Sequence, residues 1–351
     1  MTRLHPLRTA FGLALVTLVT APGCASDDDG GGQDGATGSG TTAAEGETSE
    51  GSSATVDLPA SSSGGVDDSD GGSTSADGES SGTTGPDNSA LIDERPYALV
   101  VPESYDPDVS TPLVVLLHGY GATAALQNVY FRFTPDAQEH GYLLALPDGT
   151  PDAGDSQFWN ATDACCKFGD ERVDDVAYLE AVLDDVEAQY NVDASRVYFV
   201  GHSNGGFMAH RLACEIGDRI AAIVSLAGAT WEDASACTAA DHVNILQVHG
   251  TDDDTIAYDG GSNGGLTYPS AEQTVAQWAT HNGCGGELAP DGTLDIEVDL
   301  EGEETQLQTY ADCPPGGQVA LWTIEGGGHI PSFDDFWADT VWAYLQAHPK
   351  P

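Results

Sequence analysis

Five residues, Gly201-His202-Ser203-Asn204-Gly205, set a serine among small neighbours, after the β-rich run VYFV and before the helix-compatible segment GFMA. A G-x-S-x-G sequence between a strand and a helix makes a sharp turn that pushes the serine hydroxyl out at the helix start. There the helix dipole and free amides favour developing negative charge, the setting that attack on a carbonyl needs. A serine hydroxyl also needs a general base, itself oriented by a third group. Three other strand ends supply candidates. Leu113–Leu117 runs into His118-Gly119-Tyr120-Gly121, a loop type that offers a backbone N–H to an oxyanion. The second donor is the residue after the nucleophile, so the two amides would be those of Tyr120 and Asn204. Val243–Val248 ends at His249-Gly250-Thr251, followed by Asp252, Asp253 and Asp254, and Val319–Ile324 leads to Gly326-Gly327-Gly328-His329.

Taken singly, each signal has an ordinary explanation: a glycine-rich turn with an incidental serine, a carboxylate capping a turn, a solvated loop histidine. Four strand-end signals in the order serine, acid, histidine are read together as a triad of Ser203, one of the three aspartates, and His329. His118, His202 and His249 also lie at strand ends and are read as supporting or packing groups. A histidine base predicts activity that falls when the ring is protonated in mild acid.

Residues so placed need a sheet whose strand ends meet. Apolar runs recur at Tyr97–Val101, Leu113–Leu117, Tyr142–Leu146, Val197–Val200, Ile223–Leu226, Val243–Val248 and Val319–Ile324. Most lack alternation, as strands buried on both faces do. Helical patterns lie between them. In Val173–Tyr190, Val176, Leu179, Leu183, Val186 and Tyr190 share one face, and Ser332–Ala347 repeats this with Phe333, Trp337, Val341 and Tyr344. The alternation predicts an α/β fold with a mainly parallel, twisted sheet and helices on both faces.

Charge excludes several partners. The 351 residues carry 57 acidic and 10 basic side chains, a formal charge of −47. Such a chain is repelled by phosphate backbones and anionic lipid headgroups, so nucleic acid is not expected as a partner. Residues 25–90 are rich in Gly, Ser and Thr, acidic, and without Lys, Arg or aromatic residues, so they are expected to be a disordered linker. Residues 91–351 are expected to form one catalytic domain.

Residues 1–24 read as an export signal, with Arg3 and Arg8 before the apolar run Phe11–Thr20 and small residues at Ala21 and Gly23. Cys24 resembles a bacterial lipoprotein acceptor, which implies a lipidated, membrane-tethered protein; cleavage nearby would instead release a free secreted one. Either way the expected location is extracytoplasmic, with the membrane met only through that anchor. Six further cysteines in an exported chain argue for disulfides. Of their possible pairings, Cys284–Cys313 is expected, because these two bracket a polar alternating stretch that reads as a surface hairpin. No pair has C-x-x-C spacing near histidines, so neither zinc nor another metal is expected.

The stretches VVLLHGYGA, FWNATDACC, ERVDDVAYL, VYFVGHSNGGFMAHRLAC, ILQVHGTDDDTIAY and LWTIEGGGH resemble the secreted α/β-hydrolases that join polyhydroxybutyrate depolymerase-like proteins with feruloyl and acetylxylan esterases. The resemblance runs the length of the domain. It implies an α/β-hydrolase fold and a serine carboxylesterase acting on a polyester or on feruloyl or acetyl esters of polysaccharide, without a cofactor. It makes Ser203 the nucleophile, His329 the base and, through the pattern H-G-T-x-D, Asp253 the acid. Trp159 and Tyr120 are candidates for an aromatic wall against the substrate. The chain departs from the family after the base, where His329-Ile330-Pro331-Ser332 stands in place of the frequent Trp-Pro-Gly. Two rivals share the fold: a prolyl-oligopeptidase-type peptidase and a non-catalytic binding module.

Overall fold

The structure, a computed structural model, describes residues 89–166, 173–238 and 241–351. The expected export signal with Cys24 and nearly all of the acidic linker lie outside the described residues.

In chain order the strands are β1 (Ala98–Val100), β2 (Thr111–Leu117), β3 (Leu143–Leu146), β4 (Thr150–Pro151), β5 (Gln157–Phe158), β6 (Val192–His202), β7 (Ala222–Leu226), β8 (Asn244–Gly250), β9 (Gly261–Asn263), β10 (Leu266–Tyr268), β11 (Leu288–Leu294), β12 (Thr305–Tyr310) and β13 (Val319–Ile324). The helices are α1 (Ser89–Glu94), α2 (Ala124–Phe131), α3 (Phe133–His140), α4 (Asp175–Gln189), α5 (Asn204–Glu215), α6 (Ala271–Asn282) and α7 (Trp337–Ala347). Nine strands form one sheet in the order β1-β3-β2-β6-β7-β8-β13-β12-β11. The six from β3 to β13 run parallel, while β1, β12 and β11 pair antiparallel at the edges. The expected mainly parallel sheet is what the chain forms.

The apolar runs are continuous because both faces of the sheet are covered. In β2, Leu113, Val115 and Leu117 point into one core with α4, α5 and α6. Val114 and Leu116 point into the other, with α2, α3 and α7. The period of two in the pleat thus feeds two helical layers.

All seven expected strands form, and two reach further than their apolar runs at the carboxyl end. β6 begins at Val192 and continues to His202, directly before Ser203, and β8 continues to Gly250. The expected helix Val173–Tyr190 is α4, started by the Asp174 carboxylate accepting from Ala177 N–H. The other expected helix, Ser332–Ala347, is shorter than its apolar spacing suggests and starts at Trp337. Residues 332–334 are held instead by backbone bonds with Ile296 and Val298, and Glu297 pairs with Phe333. Phe333 still packs with the helix face, its ring stacked 3.8 Å from that of Trp337.

The Cys284–Cys313 disulfide is present and closes the β11–β12 hairpin at the sheet edge. Sequence reasoning left the second disulfide, Cys214–Cys237, unassigned; it ties the end of α5 to the loop after β7. Removing Cys284–Cys313, which encloses a sequence separation of 29, with the double substitution Cys284→Ser, Cys313→Ser should lower the unfolding free energy by about 3 kcal/mol. Urea denaturation of both proteins measures the difference.

Candidate active site

The register of the parallel strands brings the chemistry to one edge of the sheet. Leu117 lies opposite Gly201, Gly201 opposite Ser225, and Gly250 opposite Ile324, so β2, β6, β7, β8 and β13 end near one line. Ligand sites of open α/β sheets lie at these carboxyl ends.

The turn at Ser203 explains its glycines. Ser203 caps α5 with φ 54° and ψ −121°, a left-handed backbone that costs a non-glycine residue about 1–3 kcal/mol. The turn is held by Ser203 N–H donating to the Leu226 carbonyl at 2.7 Å and by Phe207 N–H donating to the Ser203 carbonyl. A Cβ on Gly201 would stand 2.1 Å from the Gly205 carbonyl oxygen, and one on Gly205 only 2.4 Å from that of Leu117. Asn204 opens the helix, so its amide is among those without an intrahelical partner.

Around this hydroxyl the three sequence-predicted residues converge. Ser203 Oγ lies 3.0 Å from His329 Nε2, and His329 Nδ1 lies 2.8 Å from Asp253 Oδ2. Of the three candidate acids, Asp253 is the one in contact with the histidine. Its other oxygen, Oδ1, accepts from the amides of Thr255 and Ile256. Burial would raise this carboxyl, but the hydrogen bonds from His249 and His329 and their charges outweigh it and hold Asp253 well below the usual carboxylate range. It stays ionised, as the orienting partner of a base must.

The loop carrying His329 is clamped to the loop carrying Asp253. Asp252 N–H donates to the Gly327 carbonyl, and Gly326 N–H donates to Thr251 Oγ1. The backbones run so close that a Cβ on Gly250 would stand 2.1 Å from the Gly327 carbonyl oxygen. His202 holds the His329 backbone by donating Nε2–H to its carbonyl at 2.9 Å.

A buried chain of hydrogen bonds, not visible in the sequence, runs to Asp253 from the opposite side. The Trp278 indole, which only donates, gives its N–H to His210 Nδ1 at 2.9 Å. That leaves the proton of His210 on Nε2, which donates to Gln247 Oε1. The Gln247 amide then donates to the Gly228 carbonyl and to His249 Nδ1. His249 therefore carries its proton on Nε2, shared between the Ile256 carbonyl at 2.7 Å and Asp253 Oδ2 at 3.3 Å. Trp278, His210 and Gln247 are far apart in sequence, and only His249 carries a local signal, its place in the H-G-T-x-D pattern.

The two aromatic candidates divide. Tyr120 is half-buried at the rim, its hydroxyl donating to Asp152 Oδ2 at 2.6 Å. Trp159 does not present its ring to the site. It is wholly buried, its indole N–H donates to the His118 carbonyl, and its backbone grips the Asn204 side chain through two bonds of 2.7 and 2.8 Å. The expected wall is here a strut, because the indole N–H finds its acceptor only inside the core. His118 is likewise structural, accepting from Gly149 N–H and donating to the Gly119 carbonyl.

Substituting Gly201→Ala should abolish accumulation of folded protein, since the new methyl meets backbone that no side-chain motion relieves; circular dichroism of the purified variant checks it. A second expectation concerns pH. Burial pushes His202 down to about 3 and His210 to about 4, against an ordinary 6.5. Below 6.5 the unfolded chain takes up protons that the folded chain refuses, so their stabilisation is full above 6.5 and is lost towards pH 4. Asp136, raised to about 6 by burial, works the other way below that pH and offsets one of them. His118 and His348, also lowered by burial, act with the two rings, so the unfolding free energy should fall as the pH drops from 6 to 4. Urea midpoints across this range measure the slope, and a flat profile would contradict the buried neutral rings.

Comparison with known proteins identifies the family and the fold. A family model described as phospholipase/carboxylesterase matches residues 100–275, half of the chain. Feruloyl esterase B of Piromyces equi is 27% identical over 243 residues, covering 67% of this chain and 42% of that protein. The bifunctional acetylxylan esterase/xylanase of Neocallimastix patriciarum is 24% identical over 251 residues, covering 72% of this chain and 33% of that protein. The chain thus spans less than half the length of these two relatives. Among solved structures, the acetyl xylan esterase from Aspergillus awamori shares the fold, with a TM-score of 0.52 and 16% identity over 71% of this chain and 93% of that one. With the strand order, the turn at Ser203 and the matched residues 100–275 taken together, the chain belongs to the phospholipase/carboxylesterase family and has the α/β-hydrolase fold.

Proposed function

We propose that this protein is an exported serine carboxylesterase that cleaves neutral acyl esters, with feruloyl and acetyl esters of polysaccharide as the favoured substrates and polyhydroxyalkanoate-type polyester as the next. The observation that carries the reading is the pair of contacts joining Ser203 to His329 at 3.0 Å and His329 to Asp253 at 2.8 Å. Family membership and the names of the two relatives support the ester class. Two disulfides support an oxidising, extracytoplasmic location, and the export pattern at residues 1–24 supports it independently.

The chemistry follows from the geometry. His329 Nε2 takes the Ser203 proton as Oγ attacks the ester carbonyl, and the resulting imidazolium is stabilised by the ionised Asp253. Negative charge on the tetrahedral oxygen is met by the amides of Asn204 and Tyr120, a contribution of about 3 kcal/mol per donor. His329 then protonates the leaving alcohol, and water activated by the same ring releases the acid. No step asks for a metal or a cofactor. The acidic surface favours neutral esters over anionic ones.

Ser203→Ala should lower p-nitrophenyl butyrate hydrolysis by at least about 1,000-fold with the melting temperature unchanged or raised, since a strained residue is retained but its nucleophile is lost. The wild type should be labelled at Ser203 by a fluorophosphonate, which a binding module would not be. A panel of methyl ferulate, acetylated xylan, hydroxybutyrate oligomers and peptide substrates ranks the ester classes and tests for a peptidase; turnover retained without Ser203 would overturn the reading.

A further inference from the structure

Cys165 and Cys166 are adjacent in the chain and buried together behind the oxyanion end of α5. Their Sγ atoms stand 2.8 Å apart, inside van der Waals contact. Neighbouring Cα atoms are about 3.8 Å apart, closer than most disulfides allow, so joining the two sulfurs demands an unusual backbone. Cys166 has one, with φ at 68° in the left-handed region. The remaining cysteines after Cys24 are already joined as Cys214–Cys237 and Cys284–Cys313, so the chain matures where thiols are oxidised.

We propose that Cys165 and Cys166 form a vicinal disulfide, and that the resulting ring positions Asn204. The bond forms as the chain folds, before burial closes the site. The two thiols lose two protons and two electrons, Sγ–Sγ is made, and a disulfide-type oxidant is cleaved to two thiols in exchange. Cys165 Sγ accepts from Asn204 Nδ2 at 3.5 Å, and the same side chain is clasped by both backbone groups of Trp159. The Asn204 side chain is therefore held between a rigid cyclic dipeptide and a buried strut, which fixes the first amide of α5. That amide is the one that would meet the oxyanion. The positioning role rests on the serine-esterase reading; the bond itself does not.

The test uses the full chain isolated from an oxidising compartment, denatured in excess alkylating reagent without reductant and digested with trypsin. Peptide Phe133–Lys167 contains Cys165 and Cys166 and no other cysteine. It should be unalkylated and lighter than the dithiol form by two hydrogens, and should take two alkyl groups only after reduction. Alkylation at one or both sulfurs before reduction would overturn the bond. For the positioning role, the double substitution Cys165→Ser, Cys166→Ser should lower kcat for p-nitrophenyl butyrate about 10-fold at unchanged KM, because an amide shifted from its place weakens the transition state and not ground-state binding. An unchanged kcat, or a change confined to KM, would overturn that role. Loss of Ser203-dependent turnover in the wild type would instead fail the esterase reading, leaving the peptide mass to decide the bond alone.

Discussion

Everything at the catalytic edge depends on how closely the backbone of α5 approaches the strands that flank it. The helix starts at Asn204, directly after β6, and its first turn passes over Leu117 of β2 and Ser225 of β7. A Cβ on Gly206 would lie 2.8 Å from Ser225 Oγ, and one on Gly228 would lie 2.5 Å from the Gly206 carbonyl carbon. Glycines at these contacts remove the only atoms that would prop the helix away from the sheet. The approach leaves Ser203 in the turn with a backbone it would not choose, and it aims the helix N-terminus at the strand ends. Withdraw the helix by the width of a methyl group, and the hydroxyl and the amide beside it would no longer share one point.

The second constraint is electrostatic. Asp253 is a buried carboxylate in a chain already crowded with negative charge, and burial alone would neutralise it. Four donors keep it charged: the amides of Thr255 and Ile256 and the rings of His249 and His329. The orientation of His249 is set in turn by Trp278, three links away, because an indole N–H can only donate and each polar side chain after it has one way to answer. Buried rings at positions 202 and 210 stay neutral, so they position without competing with His329 for a proton.

Much of this was legible in the chain. Ser203, the group of aspartates and His329 were marked by glycine-rich strand ends, since a residue that must be presented from a sheet edge needs a turn, and turns of this kind need glycine. The seven apolar runs marked the sheet because both its faces are buried. The start of α7 was misplaced because Phe333 keeps the helical spacing and stacks on Trp337 while residues 332–334 bond to the 296–298 segment. Trp159, a candidate for the aromatic wall, packs in the core instead, because its place in the chain does not show which way the ring faces.

The amino-acid sequence by itself determined the order of the elements, the layered α/β architecture, the residues able to act on a carbonyl and the pairing Cys284–Cys313, because each rests on local periodicity, turn chemistry or a short bracketed hairpin. The tertiary structure alone decided which cysteine closes on Cys214, and that Trp278, His210 and Gln247 serve the site. Those choices depend on contacts between segments distant in the chain, brought together by the register of parallel strands. A pattern read along the sequence carries no trace of which side chains will share a hydrogen bond across it.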